Sequence, residues 1–268
     1  MKKNETKDTM NLKQERLQKV LARSGLGSRR QIEKSIATSQ IYINGKLAEL
    51  GAQVKDGDIV NWKGRKWVIE GKAQDLKIIM YNKPLGEICT RKDEKGRKTV
   101  FDNLPELKGS RWINIGRLDI NTTGLLMFTT DGAFANHMMH PSTQIDREYA
   151  CRVFGDVDQT KLDNLRKGVE LEDGPARFND IQQAGAGESN QWFHVVILEG
   201  RNREVRRLWE SQDLKVNRLK RVRYGPVFLP KKLRKGQYQE LTAGEQSILM
   251  QDVKYQTEDI ELIARFLK

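Results

Sequence analysis

The sequence predicts an α+β protein in two parts: a small module of two helices and a few strands, then a larger mixed β-sheet domain with helices packed on it. Three observations lead there. Near the start, apolar residues recur at helical spacing and then give way to short pieces broken by Gly-containing turns. From Lys77 onward, strand-like and helix-like segments alternate without the strict rhythm of a parallel βαβ array. Charge is also uneven: of a formal net +12 over 268 residues, residues 12–73 hold 13 Lys/Arg against 6 Asp/Glu.

Residues 1–11 are polar and aperiodic, which predicts a disordered leader. Leu12, Leu17, Val20 and Leu21 predict a first helix, stopped by Gly25 and Gly27. Ser28 is a good N-cap for a second helix starting at Arg29. Ile41-Tyr42-Ile43 runs into the hairpin signal Asn44-Gly45. Asp56-Gly57-Asp58 turns into Ile59-Val60, and Trp62 through Ile69 forms a further hairpin around Gly64. These elements make one domain over 12–73, with 74–76 as a linker. A second domain over 77–250 has strands at Ile78–Tyr81, Leu125–Phe128, Tyr149–Phe154 and Trp192–Leu198. Its helices run from Asp158 to Lys167, closed by Gly168, and from Glu204 to Glu210. In 251–268, Ile260, Ile263 and Phe266 at helical spacing predict a C-terminal helix over Glu258–Leu267.

A net charge of +12 points to a polyanion, since each neutralised phosphate releases counterions. Nucleic acid is the first partner to consider. A membrane surface ranks well behind, because no long amphipathic basic helix appears. No apolar run approaches the roughly 20 residues that span a bilayer. The N-terminus lacks the apolar stretch of a secretory signal. Only Cys89 and Cys151 are present, far apart, which excludes a disulfide framework and predicts a reducing, cytoplasmic setting. Glycine-rich phosphate loops of the GxGxxG and GxxxxGK[ST] kinds are absent, and so is a GxSxG elbow. His137 and His140 lie three apart on a predicted helix with no third ligand near them, so no metal is expected.

Two segments look over-specified. Gly116-Arg117-Leu118-Asp119 opens a loop into a buried-strand run, where Asp119 is either an Asx turn or a carboxylate presented at a sheet edge. Glu199-Gly200-Arg201-Asn202-Arg203-Glu204-Val205-Arg206-Arg207 has four arginines in seven positions and no lysine, and arginine suits bidentate contact with carboxylate or phosphate. In the first domain Lys19, Arg23, Arg29, Arg30 and Lys34 cluster at the helix junction, a natural phosphate seat, though a solvated helix face would look the same.

These two segments resemble the catalytic loop and the arginine motif of the pseudouridine synthases. Met80-Tyr81-Asn82-Lys83-Pro84-Leu85-Gly86 is similar to that family's opening motif, and Arg147-Glu148-Tyr149-Ala150-Cys151 to its tyrosine motif. Order and spacing resemble the branch named for ribosomal small-subunit synthase A, and 12–73 resembles the alpha-L RNA-binding module of that branch. The resemblance implies a mainly antiparallel catalytic sheet behind an RNA-binding module. It further implies isomerisation of a flipped-out uridine in ribosomal RNA, large-subunit RNA or its assembly precursor, by a monomer without cofactor. Asp119 would be the essential carboxylate, Arg206 its partner with Arg201 as runner-up, Val205 an apolar contact near the base, and Tyr149 a stacking ring. Arg117 would hold the strand opened by base flipping, while Arg29 and Arg30, then Lys19 and Arg23, would grip phosphates.

Overall fold

The computed structural model describes residues 13–73, 76–107, 109–185, 190–258 and 260–267. The leader expected over 1–11 lies outside them, as do residues 74 and 75 of the expected linker. Two units are formed. One contains the described residues up to Leu76, Glu106–Trp112 and the segment from Gln256 on; the other contains Lys77–Pro105 and Ile113–Tyr255.

In the first unit, the helix expected from Leu12 begins only at Leu17 and ends at Arg23. Gln14–Arg16 is instead a strand paired with Gln53–Lys55. The second helix, Arg29–Ala37, starts at Ser28 in a capping box: Ser28 Oγ accepts from the Gln31 amide, and the Gln31 side chain accepts from the Ser28 amide. Asn44 and Gly45, with φ of 50° and 79°, turn Ile41–Ile43 back into Lys46–Leu47. A five-stranded antiparallel sheet runs in the order Ile260–Leu267, Arg65–Ala73, Ile59–Trp62, Ile41–Ile43, Lys46–Leu47. Leu17, Leu21, Ile32, Val60, Trp62 and Leu262 belong to its core.

The expected C-terminal helix is therefore a strand. Ile260, Ile263 and Phe266 do fall at helical spacing, but Ile260, Leu262, Ala264 and Phe266 also alternate. Residues 260–267 pair one for one with residues 66–73. A long strand edge needing hydrogen-bond partners decides between two periods that the local sequence leaves balanced.

The second unit is built on a sheet ordered Asp180–Gly185, Asn190–Ile197, Arg147–Phe154, Lys215–Tyr224, Thr123–Thr129, Ile78–Lys83, Tyr238–Glu240. Val227–Phe228 and Ile113–Ile115 attach to it. As expected, the sheet is mixed and mainly antiparallel. Its parallel join links Lys215–Tyr224 to Thr123–Thr129 through two residue pairs, Lys220 with Thr123 and Arg221 with Gly124. All six residues of Ile78–Lys83 are buried; this accounts for the apolar run Ile78–Tyr81, and the burial extends past it to two polar side chains, Asn82 and Lys83. Asp158 caps the helix Gln159–Lys167, and Gly168 ends it at φ 114°. A further helix, Ala243–Asp252, carries a capping box of Thr242 and Glu245. Among the described residues, no helix is long and apolar enough to cross a membrane.

Candidate active site

Between the strands Ile113–Ile115 and Thr123–Thr129 the chain makes the loop that carries Asp119. The Thr122 amide donates to the Asp119 carbonyl at 3.0 Å, closing a turn. Lys83 is fully buried, and its Nζ donates to the carbonyls of Pro84 (3.1 Å), Asp119 (3.1 Å) and Thr122 (2.9 Å). Burial pulls the Lys83 amine below its usual range, against the opposing pull of Cys89, Glu87 and Asp119. The Gly86 amide meets the Ile120 carbonyl at 2.9 Å. Arg206 Nη2 meets that of Asn121 at 3.0 Å, and Cys89 Sγ that of Leu118 at 3.3 Å. Every carbonyl from Leu118 to Thr122 thus accepts a hydrogen bond, while among the described residues nothing donates to the Asp119 carboxylate. The backbone is pinned and the charged side chain is left for something else. Leaving the loop, Gly124 has φ 100°, and a Cβ there would stand 2.2 Å from the Arg221 carbonyl oxygen.

Asp119 lines a cavity of about 460 Å³ together with Arg117, Arg147, Tyr149, Arg201, Arg203, Val205, Leu219 and Arg221. Tyr149 is 7% exposed. It lies opposite Arg221 on one neighbouring strand and Val195 on the other. Arg147 Nη1 donates to the Ile145 and Leu198 carbonyls, and its Nη2 to the Tyr224 hydroxyl at 3.1 Å. That hydroxyl in turn donates to the Met138 carbonyl at 2.7 Å. The Arg221 guanidinium lies 5.0 Å from the Tyr224 ring centre, and its Nε donates to the Leu125 carbonyl at 2.7 Å.

The arginine motif is used differently from expectation. Arg206 does not pair with Asp119. It is buried within the short helix Glu204–Glu210, and both its terminal nitrogens end on backbone carbonyls, of Val216 (2.7 Å) and Asn121. It steadies the loop through those carbonyls without touching the carboxylate. Burial pulls the guanidinium below its usual range, and the Asp119 charge opposes this from further off. Arg201 and Arg207 converge on Asp173, Arg201 also reaches Glu199, and Arg203 pairs with Glu210. Glu204, side chain buried beneath Arg201, has its carboxyl pushed up to about 7 by burial; donation from the Arg201 amide opposes this and repulsion from Glu199 adds to it.

In the first unit Arg29 and Arg30 are exposed at the helix start. Lys19 and Arg23 instead converge on the buried Glu15, at 2.7 and 2.9 Å, and Arg23 also donates to the Leu262 carbonyl. Burial raises the Glu15 carboxyl, but hydrogen bonds from Arg23 and Lys19 win and hold it at about 2. His137 Nε2 contacts the Val253 carbonyl and His140 Nδ1 the Ser142 hydroxyl. Lys83 and Arg147 sit in motifs the sequence singled out, without a role being read for either. Arg221 lay outside those motifs. Its signal is register: counting by twos from buried Leu219 puts Arg221 inward, where an arginine needs a reason.

Residues 77–211 match the family described as RNA pseudouridylate synthase, and residues 15–60 match the S4 domain. The ribosomal large subunit pseudouridine synthase B of Pseudomonas aeruginosa is 56% identical over 241 residues, covering 89% of this chain and 62% of that protein. This chain therefore spans less than two thirds of that relative's length. The protein of the same name in Vibrio cholerae is 54% identical over 252 residues (92% and 76%), and that in Shigella flexneri 49% over 259 residues (93% and 87%). A crystal structure of a pseudouridylate synthase superposes with a TM-score of 0.61 at 26% identity, covering 89% of this chain and 99% of the other.

Proposed function

This chain belongs to the RNA pseudouridylate synthase family, and from that premise we propose that it isomerises a uridine of large-subunit ribosomal RNA to pseudouridine. The observation that carries the reading is the Asp119 loop: a backbone saturated with donors presents one unpaired carboxylate to a cavity rich in arginine. The relatives named for the large ribosomal subunit favour that RNA, or a precursor met during assembly, as substrate.

The S4-like unit supplies phosphate contacts through Arg29 and Arg30 and sets the register of the RNA. The target base is flipped into the cavity, at a cost of a few kcal/mol in stacking and pairing. Exposed Arg117 stacks in or beside the gap. Tyr149 covers the uracil and Val205 borders it. The uracil leaves C1′ through N1, turns, and rejoins through C5. Ionised Asp119 either attacks C1′ or promotes cleavage and then stabilises the cleaved intermediate. One glycosidic bond is exchanged for another, so the chemistry calls for no group donor. The enzyme acts in the cytoplasm as a monomer.

Pseudouridine mapping of ribosomal RNA from cells with and without this chain tests the reading. One site should revert to uridine in its absence, and an unchanged map rejects the proposal. In vitro, Asp119→Asn should keep RNA affinity within about threefold and lose turnover on the order of 10⁴-fold or more. A variant that stays active removes Asp119 from the mechanism.

A further inference from the structure

Five arginines line the Asp119 cavity, and four have evident positions or partners: Arg201 and Arg203 are ion-paired, Arg147 is satisfied by two carbonyls and a hydroxyl, and Arg117 is exposed. Arg201 also has a buried Nε without a partner, but its terminal nitrogens are taken up by Asp173 and Glu199. Arg221 is 2% exposed, its Nε is anchored on Leu125, and its terminal Nη2 is buried with no hydrogen-bond partner. A buried charged donor left unmade is costly, and such groups cluster where a ligand completes them.

We propose that Arg221 is a further catalytic residue, whose unused guanidinium N–H groups take up the negative charge that develops on the uracil as its glycosidic bond breaks. The inference deepens the function proposed above and rests on it. Arg221 lies opposite Tyr149 in the antiparallel register, so both side chains leave the sheet on the same face, into the same cavity. Its guanidinium carbon lies 5.0 Å from the Tyr224 ring centre, and its backbone is held by the close approach of Gly124. A donor fixed in advance inside a low-dielectric site costs no reorganisation when charge appears. In the step itself the N1–C1′ bond breaks with its electron pair passing to N1. The uracil becomes an anion with charge spread over N1, O2 and O4, while Asp119 faces the electron-poor C1′. When C5 bonds to C1′, the C5 proton is lost and N1 takes one up.

A fluorine at C5 stabilises the ring anion and so lessens the need for Arg221. The full chain and its Arg221→Gln and Arg221→Lys variants are compared in single turnover on large-subunit ribosomal RNA transcribed with uridine or with 5-fluorouridine. Arg221→Gln should slow uridine conversion by about 10²–10³-fold with RNA affinity within about threefold. The loss on 5-fluorouridine RNA, read as disappearance of the fluorinated uridine, should be at least about tenfold smaller. Arg221→Lys should show the same ordering with smaller losses, and it carries the test if Arg221→Gln does not fold. Equal losses on the two RNAs, or a loss explained by weaker binding, overturn the proposal and make Arg221 structural. A wild-type chain that leaves uridine RNA unchanged rejects the function itself, a separate result.

Discussion

Side chains around the cavity divide into those that hold and those that are held ready. Lys83 and Arg206 are cations by chemistry, yet they act on backbone carbonyls and fix where Asp119 stands. Motif spacing brought Asp119, Tyr149, Val205, Arg117 and Arg201 into one cavity. It could not show which way the Arg206 guanidinium turns, because that depends on the carbonyls of residues 121 and 216, which no motif spacing describes. Glu204 offers a test at this scale. With its folded carboxyl at about 7 and an unfolded value near 4.3, the folded protein holds a proton there that the unfolded chain has lost between those values. Stability from this group is therefore present at low pH and lost as pH rises through 7. Glu204→Gln should flatten the stability profile between about pH 4.5 and 7. Urea melts at several pH values measure it, and a profile that keeps its slope excludes Glu204 as the source.

At the scale of elements, the parallel join between Thr123–Thr129 and Lys215–Tyr224 is the tightest point near the site. Gly124→Ala places a methyl 2.2 Å from the Arg221 oxygen at a φ that L residues avoid. It should cost about 2–4 kcal/mol and displace Arg221 and the Asp119 loop together. A thermal melt within about 2 °C of wild type would contradict this. In the other unit, the Glu15 cluster ties the helix Leu17–Arg23 to the strand Ile260–Leu267. Glu15 is held low, so its contribution is present above its unfolded value near 4.3 and is lost as pH falls towards 2. Arg23→Met should cost about 3 kcal/mol, seen as faster amide exchange over residues 17–23; unchanged exchange would mean the cluster is dispensable. Turn and cap chemistry made most of these elements legible. Ser28, Asn44-Gly45, Asp158 and Gly168 each act within a few residues of themselves. The strand Ile260–Leu267 was not legible, because its partner lies some 195 residues away and nothing local favours period 2 over 3.6.

Across the whole molecule, the excess of positive charge over 12–73 sits in the unit that matches the S4 domain. Part of it is consumed internally on Glu15, so the charge left at the surface of this unit is less than the composition suggests. Arg29→Ala with Arg30→Ala should lower the slope of log affinity against log salt by about 1.4–1.8, the share of two phosphates. An unaltered slope in filter-binding titrations would return both residues to a solvated helix face. The ladder between residues 66–73 and 260–267 also orders events in time. At 5–20 residues per second, roughly ten to forty seconds of translation separate the two strands. Throughout that interval the S4-matching unit lacks Leu262 in its core, and Arg23 lacks its carbonyl acceptor there. A growing chain thus completes the core of that unit only after the segment bearing Asp119, Tyr149 and Arg221 has already been made.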